Sequence, residues 1–219
     1  MALAVENQSS SFGNNVASVT WSHTSSGTNR GIVVGAAAVD YGDDLTITAT
    51  YAGASLLAKT ESFNGNASLH AQQFVKENQA SGANDVVVTF TGINVDARCG
   101  AVTFNDVEQT TGFSALSTTD TGNSAAATVD VTSATGEIVI DCMVDGEGTA
   151  APTPDGSQTS QWAGTNGVVE GGCSTEAGAT TVTMSWSQTS GEWAISALSV
   201  IPTGGGGSFV NTAVINCVG

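Results

Sequence analysis

The stretch that decides the fold is Thr180–Pro202, TTVTMSWSQTSGEWAISALSVIP. Its first half alternates apolar and polar residues, which is the period of a β-strand with one buried face. The apolar positions of that half are Val182, Met184 and Trp186. The half that begins at Trp193 is apolar on both faces, as in a strand covered by another layer. Because Ser187–Gly191 between them has the composition of a turn, the stretch predicts a β-hairpin that closes the domain.

The composition of the whole chain indicates an all-β protein. Only 11% of its 219 residues are charged, and 27 are glycine. Leu, Lys, Glu and Arg, which favour helices, are scarce, whereas Val and Thr suit a pleated, half-buried surface. Short strand-like segments recur about ten times at the spacing of a two-sheet antiparallel β-sandwich of jelly-roll-like type.

The chain divides into three parts. Residues 1–15 are polar and are expected to form an irregular N-terminal arm, and residues 16–202 form the sandwich domain. Residues 203–219 are a glycine-rich tether and an apolar C-terminal tail. Within the sandwich, GIVVGAAAVD at residues 31–40 predicts a central strand because it is apolar on both faces. LHAQQFVK at residues 69–76 suits a helix or a strand, and its alternation favours a strand.

The charge of the chain argues against two classes of partner. Twenty acidic residues and four basic ones give a net charge of −16. No nucleic acid is expected as a partner, because binding to phosphates requires clustered Lys and Arg. Binding to an anionic membrane surface is disfavoured for the same reason. The N-terminus lacks the basic and apolar regions of a signal peptide, and we therefore expect synthesis in the cytoplasm without a signal peptide.

No catalytic residues are predicted, since His23 and His70 belong to no recognisable motif and no nucleophile elbow occurs. The four cysteines are too widely spaced for a zinc site and are expected to be free thiols. No cofactor is expected apart from Ca²⁺, which acidic loops can bind, although neither acidic loop here matches an EF-hand. The candidate Ca²⁺ ligands are Asp40, Asp43 and Asp44 in one loop and Asp145 and Glu147 in another.

Two apolar features suggest contact with a partner. Residues 145–178 predict the longest irregular loop, and Trp162 within it could stack on a sugar, dock into a neighbouring protein or pin the loop to its own domain. The C-terminal tail holds more apolar side chains than a solvated terminus would expose. It either folds back on its own domain or adds to a neighbouring subunit. Its candidate docking residues are Phe209, Val210, Val214 and Ile215.

Several segments, in this order, carry a resemblance that covers roughly residues 16–202. They are TWSHTSSGTNRGIVVGAAAVD, LTITATYAGASLLA, FVKENQASGANDVVVTFTG, GAVTFNDVEQTTGF and SGEWAISALSVIP. Together they resemble the jelly-roll-like β-sandwich domain of structural proteins of tailed phages, which also occurs in bacterial surface proteins. None of these segments contains a catalytic signature.

The resemblance implies a non-enzymatic virion protein, most specifically a capsid decoration (cement) protein. Such a protein would bind between capsomers and stabilise the assembled shell by mass action. The partners implied are the major capsid protein or other virion proteins, and further copies of the chain, with a homotrimer expected. The alternative is a carbohydrate-binding module or adhesin on a virion or cell surface, which would use Trp162 and a Ca²⁺ held in a loop.

Overall fold

The computed structural model describes residues 2–40, 45–146 and 150–204. Within those residues the secondary structure is entirely β. Sixteen strands follow one another in chain order. They are β1 (Ala4–Val16), β2 (Ser18–Ser25), β3 (Gly31–Val39), β4 (Thr46–Tyr51), β5 (Ala54–Ser55), β6 (Leu57–Ala58), β7 (Ser62–Asn64), β8 (Leu69–Glu77), β9 (Gly82–Thr91), β10 (Val95–Asn105), β11 (Thr118–Val131), β12 (Ile138–Asp145), β13 (Thr153–Pro154), β14 (Thr159–Thr165), β15 (Glu170–Ala177) and β16 (Val182–Val200).

The strands form three antiparallel sheets. The central sheet has the strand order β1-β10-β3-β8-β6, with β7 also paired to β8. The N-terminal outer sheet has the order β2-β9-β4-β5. The C-terminal sheet has the order β11-β16-β12-β15-β14, with β13 paired to β16. Residues 4–105 therefore build the first two sheets, and residues 118–200 build the third.

Strand β3 shows why the central sheet is covered on both sides. All of its residues are buried. Even-numbered residues such as Ile32 and Val34 pack against the N-terminal outer sheet, and odd-numbered ones such as Val33 and Ala37 pack against the C-terminal sheet. The expected central strand and the all-β antiparallel sandwich are confirmed. A middle sheet that is apolar on both faces needs two covering layers, so the structure has three sheets where two were expected.

The predicted hairpin at Thr180–Pro202 is wrong, because the stretch forms the single 19-residue strand β16. This strand pairs with β11 over most of its length and with β12 over its second half. The turn-like residues Gln188–Ser190 lie at a bulge, where the register with β11 shifts between Ser124 and Ala126. Trp186 and Trp193 belong to one buried cluster although an odd number of positions separates them. In a regular strand, two residues an odd number of positions apart point to opposite faces. The bulge returns Trp193 to the face of Trp186, and the sequence pattern at this point resembles a turn.

The C-terminal sheet curls over its own outer face. The first half of β16 and the second half of β11 bury Met184 and Trp186 against Met143 of β12. The Trp186 ring lies on Gly172 of β15, where a Cβ atom would be 2.6 Å from the ring. A side chain at Gly172 would therefore push the ring away, and this third buried cluster depends on glycine at that position.

Three further expectations meet different outcomes. The irregular arm expected over residues 1–15 is wrong for the described residues, since β1 pairs along β10 from Ala4 to Val16. The irregular loop expected over residues 145–178 contains β13, β14 and β15. The strand expected at residues 69–76 is confirmed as β8. Backbone pairing gives order to segments whose Ser, Thr, Gly and Asn side chains show little apolar periodicity.

No helix in the described residues is long and apolar enough to cross a membrane.

Candidate functional site

Trp162 lies in β14 and is buried in the core between the central and C-terminal sheets, with only 6% of its surface exposed. Its ring covers two glycines of the central sheet. A Cβ atom at Gly100 would overlap the indole, and one at Gly35 would lie 3.2 Å from it. The ring therefore has no open face for a sugar or a neighbouring protein. The position of Trp162 therefore matches the expectation that it pins its own segment, β14, to the rest of the domain.

The other predicted docking residues, Phe209, Val210, Val214 and Ile215, lie outside the described residues. The same holds for Asp43, Asp44 and Glu147 among the predicted Ca²⁺ ligands.

The two predicted Ca²⁺ ligands that are described, Asp40 and Asp145, lie in different sheets. Asp40 directly follows β3 in the central sheet, whereas Asp145 ends β12 in the C-terminal sheet. Asp145 stands opposite Glu170 of β15, both carboxylates are fully buried, and Glu170 accepts a hydrogen bond from Ala150 N at 2.5 Å. No group of three or more His, Cys, Asp or Glu side chains within residues 2–40, 45–146 and 150–204 is arranged to hold a metal ion.

Asp40 belongs to a cluster with His70 and Glu61 that the sequence did not reveal. His70 Nδ1 lies 2.7 Å from Glu61 Oε1, and His70 Nε2 lies 3.4 Å from Asp40 Oδ2. Phe63 of β7 stacks on the imidazole, with the ring centroids 4.5 Å apart. Asp40 and His70 are buried, and Glu61 is partly exposed. The cluster is an imidazole held between two carboxylates beneath an aromatic ring.

His23 has a different environment, in which its hydrogen bonds are satisfied. Trp21 Nε1 donates to Ser9 Oγ at 2.9 Å, and the Ser9 hydroxyl is hydrogen-bonded to His23 Nδ1 at 2.8 Å. His23 Nε2 is hydrogen-bonded to Thr103 Oγ1 at 2.7 Å, so each ring nitrogen has a hydroxyl partner. Burial lowers the pKa of His23 to about 4. The chain of hydrogen bonds therefore holds a neutral histidine that ties β1, β2 and β10 together.

Asp141 is a fully buried carboxylate surrounded by hydrogen-bond donors. It accepts from Trp186 Nε1 and from Ser174 N, each at 2.6 Å, and Gln158 Nε2 lies 3.4 Å away. Burial raises the pKa of Asp141 to about 7, against the lowering effect of these donors. The group links the curled part of β16 to β12 and β15.

The raised pKa of Asp141 predicts how stability depends on pH. The folded state holds this proton more tightly than the unfolded state, whose value is near 3.8. The contribution of Asp141 to stability is therefore fully present below pH 4 and is lost as the pH rises towards 7. The loss is on the order of 1 kcal/mol per pH unit at its steepest. Relative to the wild type, Asp141→Asn should gain stability between pH 4 and 7, as measured by urea unfolding.

Glu108→Gln provides the control for that series. Hydrogen bonds from the backbone of Thr111 and Thr110 lower the pKa of Glu108, which is partly exposed, to about 2. Its contribution is present above pH 4.5 and is lost as the pH falls towards 2, which is the opposite sign in a different window. A wild-type and Asp141→Asn pair whose stability difference stays constant from pH 4 to 7 would refute the raised pKa.

The cysteines that the structure describes, Cys99, Cys142 and Cys173, are free and buried, as expected, and Cys217 lies outside the described residues. Burial raises the pKa of each of the three thiols. These thiols are therefore core residues with little thiolate character.

No ligand-sized cavity is found in the part of the chain that the structure describes.

Large apolar side chains remain exposed mainly near one edge of the central sheet. Leu57 in β6 is 65% exposed and Phe63 in β7 is 45% exposed. Leu116, 72% exposed, follows a loop whose Ser114 and Ala115 carbonyls accept hydrogen bonds from Lys59. We call Leu57, Phe63 and Leu116 the apolar edge. Phe12, the remaining exposed large apolar residue among those described, lies on β1 beneath the Arg98 guanidinium.

Comparisons with known proteins add no identification. A scan against protein-family models matched no family, and searches of curated proteins and of solved structures found no match.

Proposed function

We propose that the chain is a non-enzymatic structural protein of a virion, and specifically a capsid decoration protein that binds between capsomers. The observation that carries the proposal is the exposure of Leu57, Phe63 and Leu116 at the apolar edge. Exposed large apolar side chains along a sheet edge are typical of surfaces that meet another protein. The resemblance to phage structural domains directs the choice of partner to a capsid.

The short strands at the apolar edge favour such a contact. Strands β6 and β7 are two and three residues long and pair with β8. A short edge strand has backbone groups that a partner strand can pair with, while its length protects the free protein from aggregation. The apolar tail in residues 209–219 supplies a second contact in the proposal.

The distribution of charge favours a neutral or basic partner surface. Three of the four basic side chains donate to backbone carbonyls of their own chain. Arg30 donates to Gln79 O, Lys59 to Ser114 O and Arg98 to Thr165 O. The surface field is therefore dominated by the net charge of −16. Such a field steers the protein towards positive patches and disfavours non-specific binding to the encapsidated nucleic acid.

Removal of the tail tests the proposal. A chain that ends at Pro202 is expected to lose most of its binding to empty shells assembled from the major capsid protein of the same genome. The physical reason is the loss of the apolar contacts of Phe209, Val210, Val214 and Ile215 with the shell. Co-sedimentation of the full and shortened chains with these shells measures the effect, and native mass spectrometry measures whether the free protein is a trimer.

Leu57→Asp with Leu116→Asp, in the full-length chain, is the matched surface variant. It should weaken shell binding. Its free energy of unfolding should stay within about 1 kcal/mol of the wild-type value, because both side chains are exposed. Equal sedimentation of full-length, shortened and Leu57/Leu116 chains would refute the docking model. Binding to a broad glycan array without binding to shells would replace it with a carbohydrate-binding role. The burial of Trp162 removes the aromatic residue on which that alternative relied.

A further inference from the structure

His70 and Asp40 approach each other at a distance that does not suit a hydrogen bond. His70 Nε2 and Asp40 Oδ2 are 3.4 Å apart, whereas a charge-assisted N–H···O bond is roughly 2.7–2.9 Å long. His70 Nε2 and both Asp40 carboxylate oxygens are buried and have no hydrogen-bond partner. Asp40 is 1% exposed and His70 is 5% exposed. Two buried ligand atoms, His70 Nε2 and Asp40 Oδ2, therefore face each other inside the protein.

The separation is the one expected of two ligands on one tetrahedral metal ion. Zn–N bonds of about 2.0–2.1 Å and Zn–O bonds of about 2.0–2.2 Å at the tetrahedral angle place the two ligand atoms about 3.4 Å apart. We propose that Asp40 and His70 form a binding site for a transition-metal cation of the Zn²⁺ class. The inference does not rest on the proposed function.

Glu61 completes the arrangement from the far side of the imidazole. Its Oε1 lies 2.7 Å from His70 Nδ1, which fixes the ring proton on that nitrogen and leaves Nε2 with its lone pair towards Asp40. Histidine ligands of metals almost always donate their second ring N–H in this way, often to a carboxylate. Because Glu61 uses the opposite ring nitrogen, it orients the ligand and is not itself a ligand.

The fold sets the positions of both ligands. His70 lies in β8 opposite Ala38 of β3, and Asp40 N donates to Ser68 O at the end of that strand pair. Phe63, opposite His70 in β7, covers the ring. The site is therefore held by the ladder of the central sheet, as a preorganised metal site requires. Glu61, whose side chain is 31% exposed, borders the solvent.

The donor set selects the class of metal. Ca²⁺ and Mg²⁺ take oxygen ligands, whereas an imidazole with a carboxylate suits Zn²⁺ and its neighbours in the first transition row. The Ca²⁺ expected at Asp40 from the sequence is therefore replaced by a nitrogen-binding metal. Asp40 and His70 supply two of the four positions of a tetrahedral ion.

Titration of the full-length chain with ZnCl₂ after treatment with EDTA tests the site. We expect one Zn²⁺ per chain that is lost in His70→Gln and in Asp40→Asn, and a roughly 10–100-fold weaker affinity in Glu61→Gln. Isothermal titration calorimetry measures the binding. CaCl₂ in place of ZnCl₂ should produce no heat of binding and no change in the unfolding temperature. Asp85→Asn, an exposed carboxylate in β9 of the N-terminal outer sheet, is the control and should bind Zn²⁺ as the wild type does.

Nitrogen-15 spectra of the wild-type histidine rings decide the question even where a variant fails to fold. With Zn²⁺ present, His70 Nε2 should shift to the position of a metal-bound nitrogen while Nδ1 stays protonated. An unchanged His70 spectrum in excess Zn²⁺, or uptake that is the same in His70→Gln, would overturn the site and leave an imidazolium–Asp40 ion pair as the explanation.

Discussion

Trp186→Ala is expected to lower the free energy of unfolding by roughly 3–5 kcal/mol, the range for emptying a buried aromatic site. Trp186 is fully buried and packs on Gly172, where the ring replaces a missing side chain. Its removal leaves a cavity between the curled part of β16 and β15. It also removes the indole N–H that donates to the buried Asp141. Both losses fall on the same cluster, so we place the effect in the upper half of that range.

Trp186→Phe separates the two contributions. The phenyl ring keeps most of the packing but lacks the donor, and its cost should be about 1–3 kcal/mol, the value of leaving a buried acceptor short of a partner. Urea unfolding at pH 7, followed by far-ultraviolet circular dichroism, measures both variants. Near-equal midpoints for wild type and Trp186→Ala would show that the curled part of the sheet is not packed in solution.

Removal of residues 2–16 is expected to cost more stability than any single substitution in the chain. These residues form β1, whose ladder with β10 runs from the Ala4–Asn105 pair to the Val16–Val95 pair. Its loss exposes the backbone edge of β10, leaves His23 without Ser9 and removes Val5 from the core. An unprotected edge of this length is a template for intermolecular pairing. The shortened chain should therefore aggregate at concentrations where the full chain is monodisperse.

Gln8→Ala is the control for that deletion. Gln8 lies in β1 with an exposed side chain, and its substitution should change the free energy of unfolding by less than about 0.5 kcal/mol. Size-exclusion chromatography with light scattering and thermal unfolding distinguish the deleted chain from Gln8→Ala and from the wild type. A deleted chain that stays monodisperse with an unchanged unfolding temperature would restore the irregular arm that the composition indicated.

Apolar pattern predicted those elements whose burial alone determines their structure. GIVVGAAAVD is apolar on both faces and forms the covered centre of the middle sheet. The same logic failed for β1, AVENQSSSFGNNV, which is an edge strand held by its backbone ladder and has few buried side chains. It failed for β16 as well, because a bulge and a turn both interrupt a period of two. The layer count could not be predicted, since alternation shows that a face is buried and not what covers it.

The candidate site shows the same boundary between local and long-range information. The acidic neighbours of Asp40 in the chain favour a Ca²⁺ site. Its structural neighbours, His70 and Glu61, are distant in sequence and reach it through the pairing of β3 with β8. The exposure of Leu57 and Leu116 also could not be predicted from the sequence, because an isolated leucine in a short strand or a loop resembles a core residue. Trp162, singled out for its position among Gly and Ser residues, is a core residue.

The order of the sheets along the chain has a consequence for synthesis on the ribosome. Residues 4–105 contain every strand of two layers, so the core around Ile32, Tyr51 and Phe90 can close while residues 118–200 are still being made. The nascent half-protein then exposes the opposite face of its middle layer, including Leu69 and Phe104, to solvent. Translation beyond residue 118 delivers the cover for that face. A pause in translation after β10 has emerged from the ribosome and before β11 to β16 follow would prolong the exposure, and chaperone demand should peak there.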